Sequence, residues 1–158
     1  MSEVFDFGYG RVAAHRHENG GGWVANTAYV APSAYVGPDA RVFGEARVYH
    51  NACVYGKAQV FGEARVFGEA RVYDRAEVSD KAWVYGAALV YGAAYVFGNA
   101  RVYGAAEVYN KAWVSGNARV FGTARVYDNA WVYDNARVWG NARVSRMTWA
   151  YGNRMIYA

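Results

Sequence analysis

From Ala28 to Ala142 an Ala stands at every sixth position, and from Val30 to Val144 a Val follows two residues behind each Ala without exception. The unit reads Ala-x-Val-aromatic-Gly/Asp-Asn/Glu, as in Ala64-Arg65-Val66-Phe67-Gly68-Glu69 and Ala100-Arg101-Val102-Tyr103-Gly104-Ala105. Two positions held in register over so many cycles mark a repeat architecture. A period of six does not match the helical period, and a Gly, Asp or Asn at nearly every fifth position would interrupt a helix each time. The pattern predicts a short strand followed by a turn. Alternation sends Ala and Val to one side and the x and aromatic residues to the other. Gly44, Asp74, Gly98 and Asn110 fall where the chain turns, because these residue types tolerate positive φ or bond locally to the backbone.

A strand this short buries nothing alone, so successive units must wind into a coil whose rungs hydrogen-bond to those above and below. The expected fold is all-β, a single-stranded parallel β-helix of triangular section with three hexads per coil. The twenty hexads fill six to seven coils, a prism roughly 30 Å long at a strand spacing of ~4.8 Å. Open solenoid ends need atypical residues. Residues 1–27 and 148–158 are therefore read as caps around a repeat body of 28–147. Val24 keeps the register in a degenerate hexad, Ala150 and Ile156 hold Val positions, and Thr148 and Arg154 replace the Ala. The leader, with residues 18–22 as a flexible stretch folding back over the first rung, is read as the less ordered cap.

The unit resembles the hexapeptide repeat, aliphatic-x-x-x-small-x, of left-handed parallel β-helix proteins: Val is the aliphatic and the Ala four residues on is the small residue. The resemblance covers 28–147 and implies left-handed coiling. The leader, His17-Glu18-Asn19-Gly20-Gly21-Gly22-Trp23-Val24, is similar to that of hexapeptide-repeat proteins in phage and bacterial genomes. This superfamily is rich in acyltransferases, which use a His general base at a subunit boundary and a loop projecting from the prism. Here the hexads are unbroken, and His50, the single His of the repeats, occupies a turn position in Tyr49-His50-Asn51. No catalytic residue and no cofactor is expected. The chain is read as a structural or interaction scaffold rather than an enzyme. The alternative is a transferase-like or small-ligand-binding protein whose site forms between subunits. The superfamily also includes zinc carbonic anhydrases, but their three-His spacing is absent. The H-x-H pair His15 and His17 is a weak metal candidate.

Composition narrows the picture further. With 54% hydrophobic and 18% aromatic residues the chain must fold, yet Leu89 and Ile156 are its single Leu and Ile, so no ordinary aliphatic core forms. Cys53, the one cysteine, fits a reducing compartment. The acidic start, Glu3 and Asp6, and the lack of a long apolar run point to a cytoplasmic protein with no membrane partner. The formal charge of +4 is spread among acids such as Glu45, Glu63 and Glu69, so a nucleic-acid partner is not expected.

Stacking places residues i and i+18 on one face. One aromatic column is then Tyr49, Phe67, Tyr85, Tyr103, Phe121, Trp139, and a second is Tyr55, Tyr73, Tyr91, Tyr109, Tyr127. The third, through Phe43, Phe61, Phe97 and Tyr133, is broken by Ser79 and Ser115. Beside the first runs an outward row of Arg47, Arg65, Arg101, Arg119 and Arg137, interrupted by Trp83. Two continuous ring strips exceed the apolar area a monomer usually exposes, so they are expected to be association surfaces. A homo-oligomer follows, and the resemblance implies a trimer.

Overall fold

The computed structural model describes residues 3–158 and contains strands and turns but no helix among them. Most strands are two residues long, an outward residue followed by Val, and each pairs in parallel with the strand eighteen residues on, as in Arg65↔Trp83 and Val66↔Val84. Three sheets result, one per face of a triangular coil. We name them by their outward residues. The Trp face includes Arg41–Val42, Trp113–Val114, Trp131–Val132 and Trp149–Ala150. The Arg face includes Arg47–Val48, Arg101–Val102, Arg119–Val120 and Arg137–Trp139. The Tyr face includes Cys53–Val54, Arg71–Val72 and Glu107–Val108.

The turn residue explains why strands stop after so few residues. His50, Asp74, Asp80, Asn110, Asp128 and Asp134 all have φ between 55° and 59°, and the Gly at equivalent positions, such as Gly86 and Gly104, have φ near 68°. Each left-handed residue swings the chain round a corner. The Asp side chains also satisfy the corner above: Asp74 Oδ2 accepts the Gly92 N–H at 3.1 Å and Asp80 Oδ2 accepts that of Gly98 at 3.0 Å. Around each hexad the ladder repeats, with Arg65, Phe67 and Glu69 N–H groups donating to Ala82, Val84 and Gly86 carbonyls at 2.8–3.0 Å. Val36 to Val138 and Ala34 to Ala136 are fully buried at every repeat. The core is thus an alternation of two small side chains, Val and Ala.

The expected coil count needs correction. Beyond the unbroken hexads, Trp23–Ala25 pairs with Arg41–Val42, Trp149–Ala150 pairs with Trp131–Val132, and Met155–Tyr157 pairs with Arg137–Trp139. Two faces therefore stack eight parallel strands and the third seven, about eight coils rather than six to seven, among the described residues. The reason is that Val24, Ala150 and Ile156 keep an apolar residue at the inward position, which is enough to continue the ladder. In the leader, β1 (Glu3–Asp6) and β2 (Arg11–Arg16) form an antiparallel hairpin, and β2 pairs antiparallel with β3 (Trp23–Ala25), extending the Trp face to ten strands.

Candidate interaction surface

With its interior filled by Val and Ala, the prism can bind only through its outside. The two aromatic columns followed along the sequence are continuous stacks. Tyr49, Phe67, Tyr85, Tyr103 and Phe121 lie ring on ring at 4.9 Å and within 4° of parallel, and Trp139 closes the column edge-on at 5.7 Å. Tyr55, Tyr73, Tyr91, Tyr109 and Tyr127 repeat this on the Tyr face at 4.9–5.1 Å. All eleven rings are half-buried. Their faces are occupied by one another and only edges reach solvent, an arrangement that shields the ladder, each pair adding about 0.5–1.5 kcal/mol. Burial raises the pKa of Tyr55, Tyr73, Tyr85, Tyr91 and Tyr109 above 10.0, most at Tyr91, where Glu107 adds repulsion and accepts the hydroxyl hydrogen bond at 3.2 Å.

A more exposed column of rings than these two stands in the x position of the Trp face. Trp113, Trp131 and Trp149 are 36%, 40% and 54% exposed, beside Tyr151 at 53%. Trp113 and Trp131 stack at 4.9 Å, 3° from parallel, and Trp131 and Trp149 at 5.9 Å and 21°. Tyr95 extends the column downward at 5.2 Å from Trp113. Trp113 sits on the rung of Ser115 and turns its ring against Phe97, filling the break in the post-Val column. The signal was present in the sequence as aromatics at 95, 113, 131 and 149, eighteen apart.

At the other end of the same face the chain covers its own rings. Phe7, buried, stacks on Phe43 at 4.9 Å, Phe5 stacks on Trp23 at 4.3 Å, and Phe43 stacks on Phe61 at 4.8 Å. Arg16 lies over Trp23 at 4.1 Å. The hairpin is seated by residues 19–22: Val36 N–H donates to Asn19 O, Gly22 N–H donates to Val36 O, and a Cβ at Gly20 or Gly22 would strike the Val36 and Gly37 backbone.

On the Arg face, Arg47, Arg65, Arg101, Arg119 and Arg137 stand in register around Trp83, whose ring lies 5.1 Å from the Arg65 guanidinium and 4.8 Å from that of Arg101. Neighbouring guanidinium groups repel by about 1 kcal/mol in water. Among the described residues the ion pair present, Arg125 with Glu107 at 3.5 Å, is on the Tyr face.

The histidines do not converge. His15 Nδ1 meets Asn26 Oδ1 at 2.9 Å, the buried His17 meets Ala34 O through Nε2 at 2.9 Å, and His50 occupies a corner with φ 57°. Among the described residues no group of three His, Cys, Asp or Glu gathers, and no helix is long and apolar enough to cross a membrane.

Residues 131–146, a little under one coil, match the family model described as the YdcK beta solenoid repeat. The chain is a parallel β-solenoid repeat protein. No curated protein and no solved structure matches it. In the β-solenoid the matched stretch carries Trp131, Arg137 and Trp139, so it samples both the Trp and the Arg faces.

Proposed function

We propose that the β-solenoid is a non-enzymatic scaffold that self-associates through its aromatic surface, with the bare half of the Trp face as the principal contact. One observation carries this reading. The hairpin covers Trp23 and Phe43 with rings from the same chain, whereas Trp113, Trp131, Trp149 and Tyr151 lie uncovered farther along the same face. At ~25 cal/mol per Å², burying the roughly 100 Å² that each of these rings exposes contributes about 2.5 kcal/mol. Four rings on each of two copies give about 20 kcal/mol, above the ~4–15 kcal/mol cost of association. The stacked rings of the Arg and Tyr faces add lesser, edge-on contacts. A closed oligomer satisfies every copy, and three prisms side by side is the state that the hexapeptide resemblance implies.

Light scattering on the wild type and on a Trp113→Ser, Trp131→Ser double variant tests this. A discrete oligomer that the double variant reduces to monomer is the expected result. A wild type that is monomeric at high micromolar concentration overturns it. Saturable heat on titration with acetyl-CoA would favour the alternative, a small-ligand site between subunits.

A further inference from the structure

The Arg face divides into two halves that differ in what flanks the guanidinium row. On the first rungs the corner residues are acidic: Glu45 shares a groove with Arg47, Glu63 shares one with Arg65, and Glu69 follows at the next corner. From Arg101 onward the equivalent corners hold Asn99, Asn117 and Asn135 on one side and Ala105, Thr123 and Asn141 on the other. The carboxylate nearest these rungs in sequence, Asp134, has its Oδ2 committed to the Gly152 N–H at 3.1 Å. Residues 135–158 contain four Arg and no acid, a local charge equal to the net charge of the whole chain.

The Asn column is itself a ladder. Asn99 Nδ2 donates to Asn117 Oδ1 and Asn117 Nδ2 to Asn135 Oδ1, both at 3.2 Å, which leaves each amide a second N–H. Guanidinium row and amide row therefore run side by side along the prism as two tracks of donors, and Asn99 and Arg101 line the far end of the groove that begins at Glu63 and Arg65.

We propose that this track, Arg101, Arg119 and Arg137 with Asn99, Asn117 and Asn135, binds the phosphodiester backbone of a single-stranded nucleic acid. A linear polyanion matches a linear row of unpaired cations, and the guanidinium fork matches phosphate oxygens. An acidic peptide fits less well, because the middle of a face has its backbone groups already paired and offers no edge for a strand to join. Bases gain no stacking platform, since the adjacent rings of Tyr103 and Phe121 cover each other at 4.9 Å. Binding is accordingly sequence-independent and salt-sensitive. It uses the Arg face, whereas the principal self-association contact is on the Trp face, so the two readings are tested by separate variants.

The test is fluorescence anisotropy of labelled oligo(dT) and oligo(dA) with the full chain at low salt, followed by a salt titration. Both oligonucleotides should bind with similar affinity. Arg119→Gln with Arg137→Gln should weaken binding roughly tenfold and flatten the log–log salt slope by about 1.4, two contacts at ~0.7 each. Arg47→Gln with Arg65→Gln, beside Glu45 and Glu63, should cost far less, with circular dichroism unchanged in both variants. No binding at low salt, or equal losses from the two pairs, overturns the proposal. So does a poly-Glu peptide that displaces oligo(dT) at equal charge concentration, which would assign the track to an acidic polypeptide.

Discussion

The two ends of the Trp face are built on the same ladder and meet different fates. At the N-terminal end a hairpin folds back and places Phe5 and Phe7 on Trp23 and Phe43, so the apolar column is closed within the chain. At the C-terminal end Trp113, Trp131 and Trp149 form an equally regular column with nothing over it. A solenoid face is therefore indifferent to what covers it. The repeat supplies a regular strip of side chains, and the cover comes from wherever an apolar complement exists.

The sharpest way to break this comparison is at the rung between the two ends. Val96→Asp would put an unpaired charge into a fully buried column and should cost more than about 4 kcal/mol. Because the ladder is continuous, denaturant melts followed at both ends should shift together. Tyr95→Asp, one residue away and outward, should cost about 1 kcal/mol or less. Similar losses from the two variants would mean that inward and outward positions are not distinct.

Phe7→Ala should come next in size. Removing a buried ring costs about 3–5 kcal/mol, but here the loss should be confined to the hairpin. Hydrogen exchange should accelerate in β1 and β2 while amides around Val102 keep their protection. Uniform acceleration along the whole chain would show that the hairpin is integral to the coil rather than a cover laid on it.

Gly22→Ala probes how that cover is seated. Its Cβ would meet the Val36 side chain and the Gly37 carbonyl, a clash costing about 1–3 kcal/mol. Limited proteolysis should then cut within residues 8–22 before the repeats. Unchanged cleavage would mean that the leader docks through β2 alone.

The smallest effect is expected at Glu77, between the covered and bare ends of the Trp face. Burial raises its carboxyl above 4.5 in the folded protein. The fold thus disfavours the ionised form, so the stability tied to this group is complete below pH 4.5 and declines as pH rises through its folded value. Glu77→Gln should raise Tm modestly at pH 7, with the difference vanishing in acid. An undiminished difference at low pH would assign the gain to packing instead of charge.

Much of this was legible in the chain. Val30 to Val144 and Ala28 to Ala142 announced the coil, and the Gly, Asp and Asn between them announced the corners, because each hexad repeats the same local physics. Following the residue after each Val also located the two long ring stacks. It did not find the Trp column, which starts only at residue 95 and occupies positions filled lower down by Arg41, Gln59 and Glu77. Nor did overall charge reveal that Glu45 and Glu63 beside the first Arg rungs give way to Asn99, Asn117 and Asn135 beside the later ones, because a count averages over the length of a prism whose faces vary from rung to rung.

The sequence by itself determined the period, the inward set and the outward set, because alternation along a strand and the demand for positive φ at a corner are properties of a few adjacent residues. Tertiary structure alone decided how far the ladder runs past the last regular hexad, which rings lie edge-out and which stand free, and that the leader spends its Phe residues on one end of one face. Those outcomes depend on contacts between residues eighteen or more apart and on where a hairpin comes to rest, which no single hexad encodes.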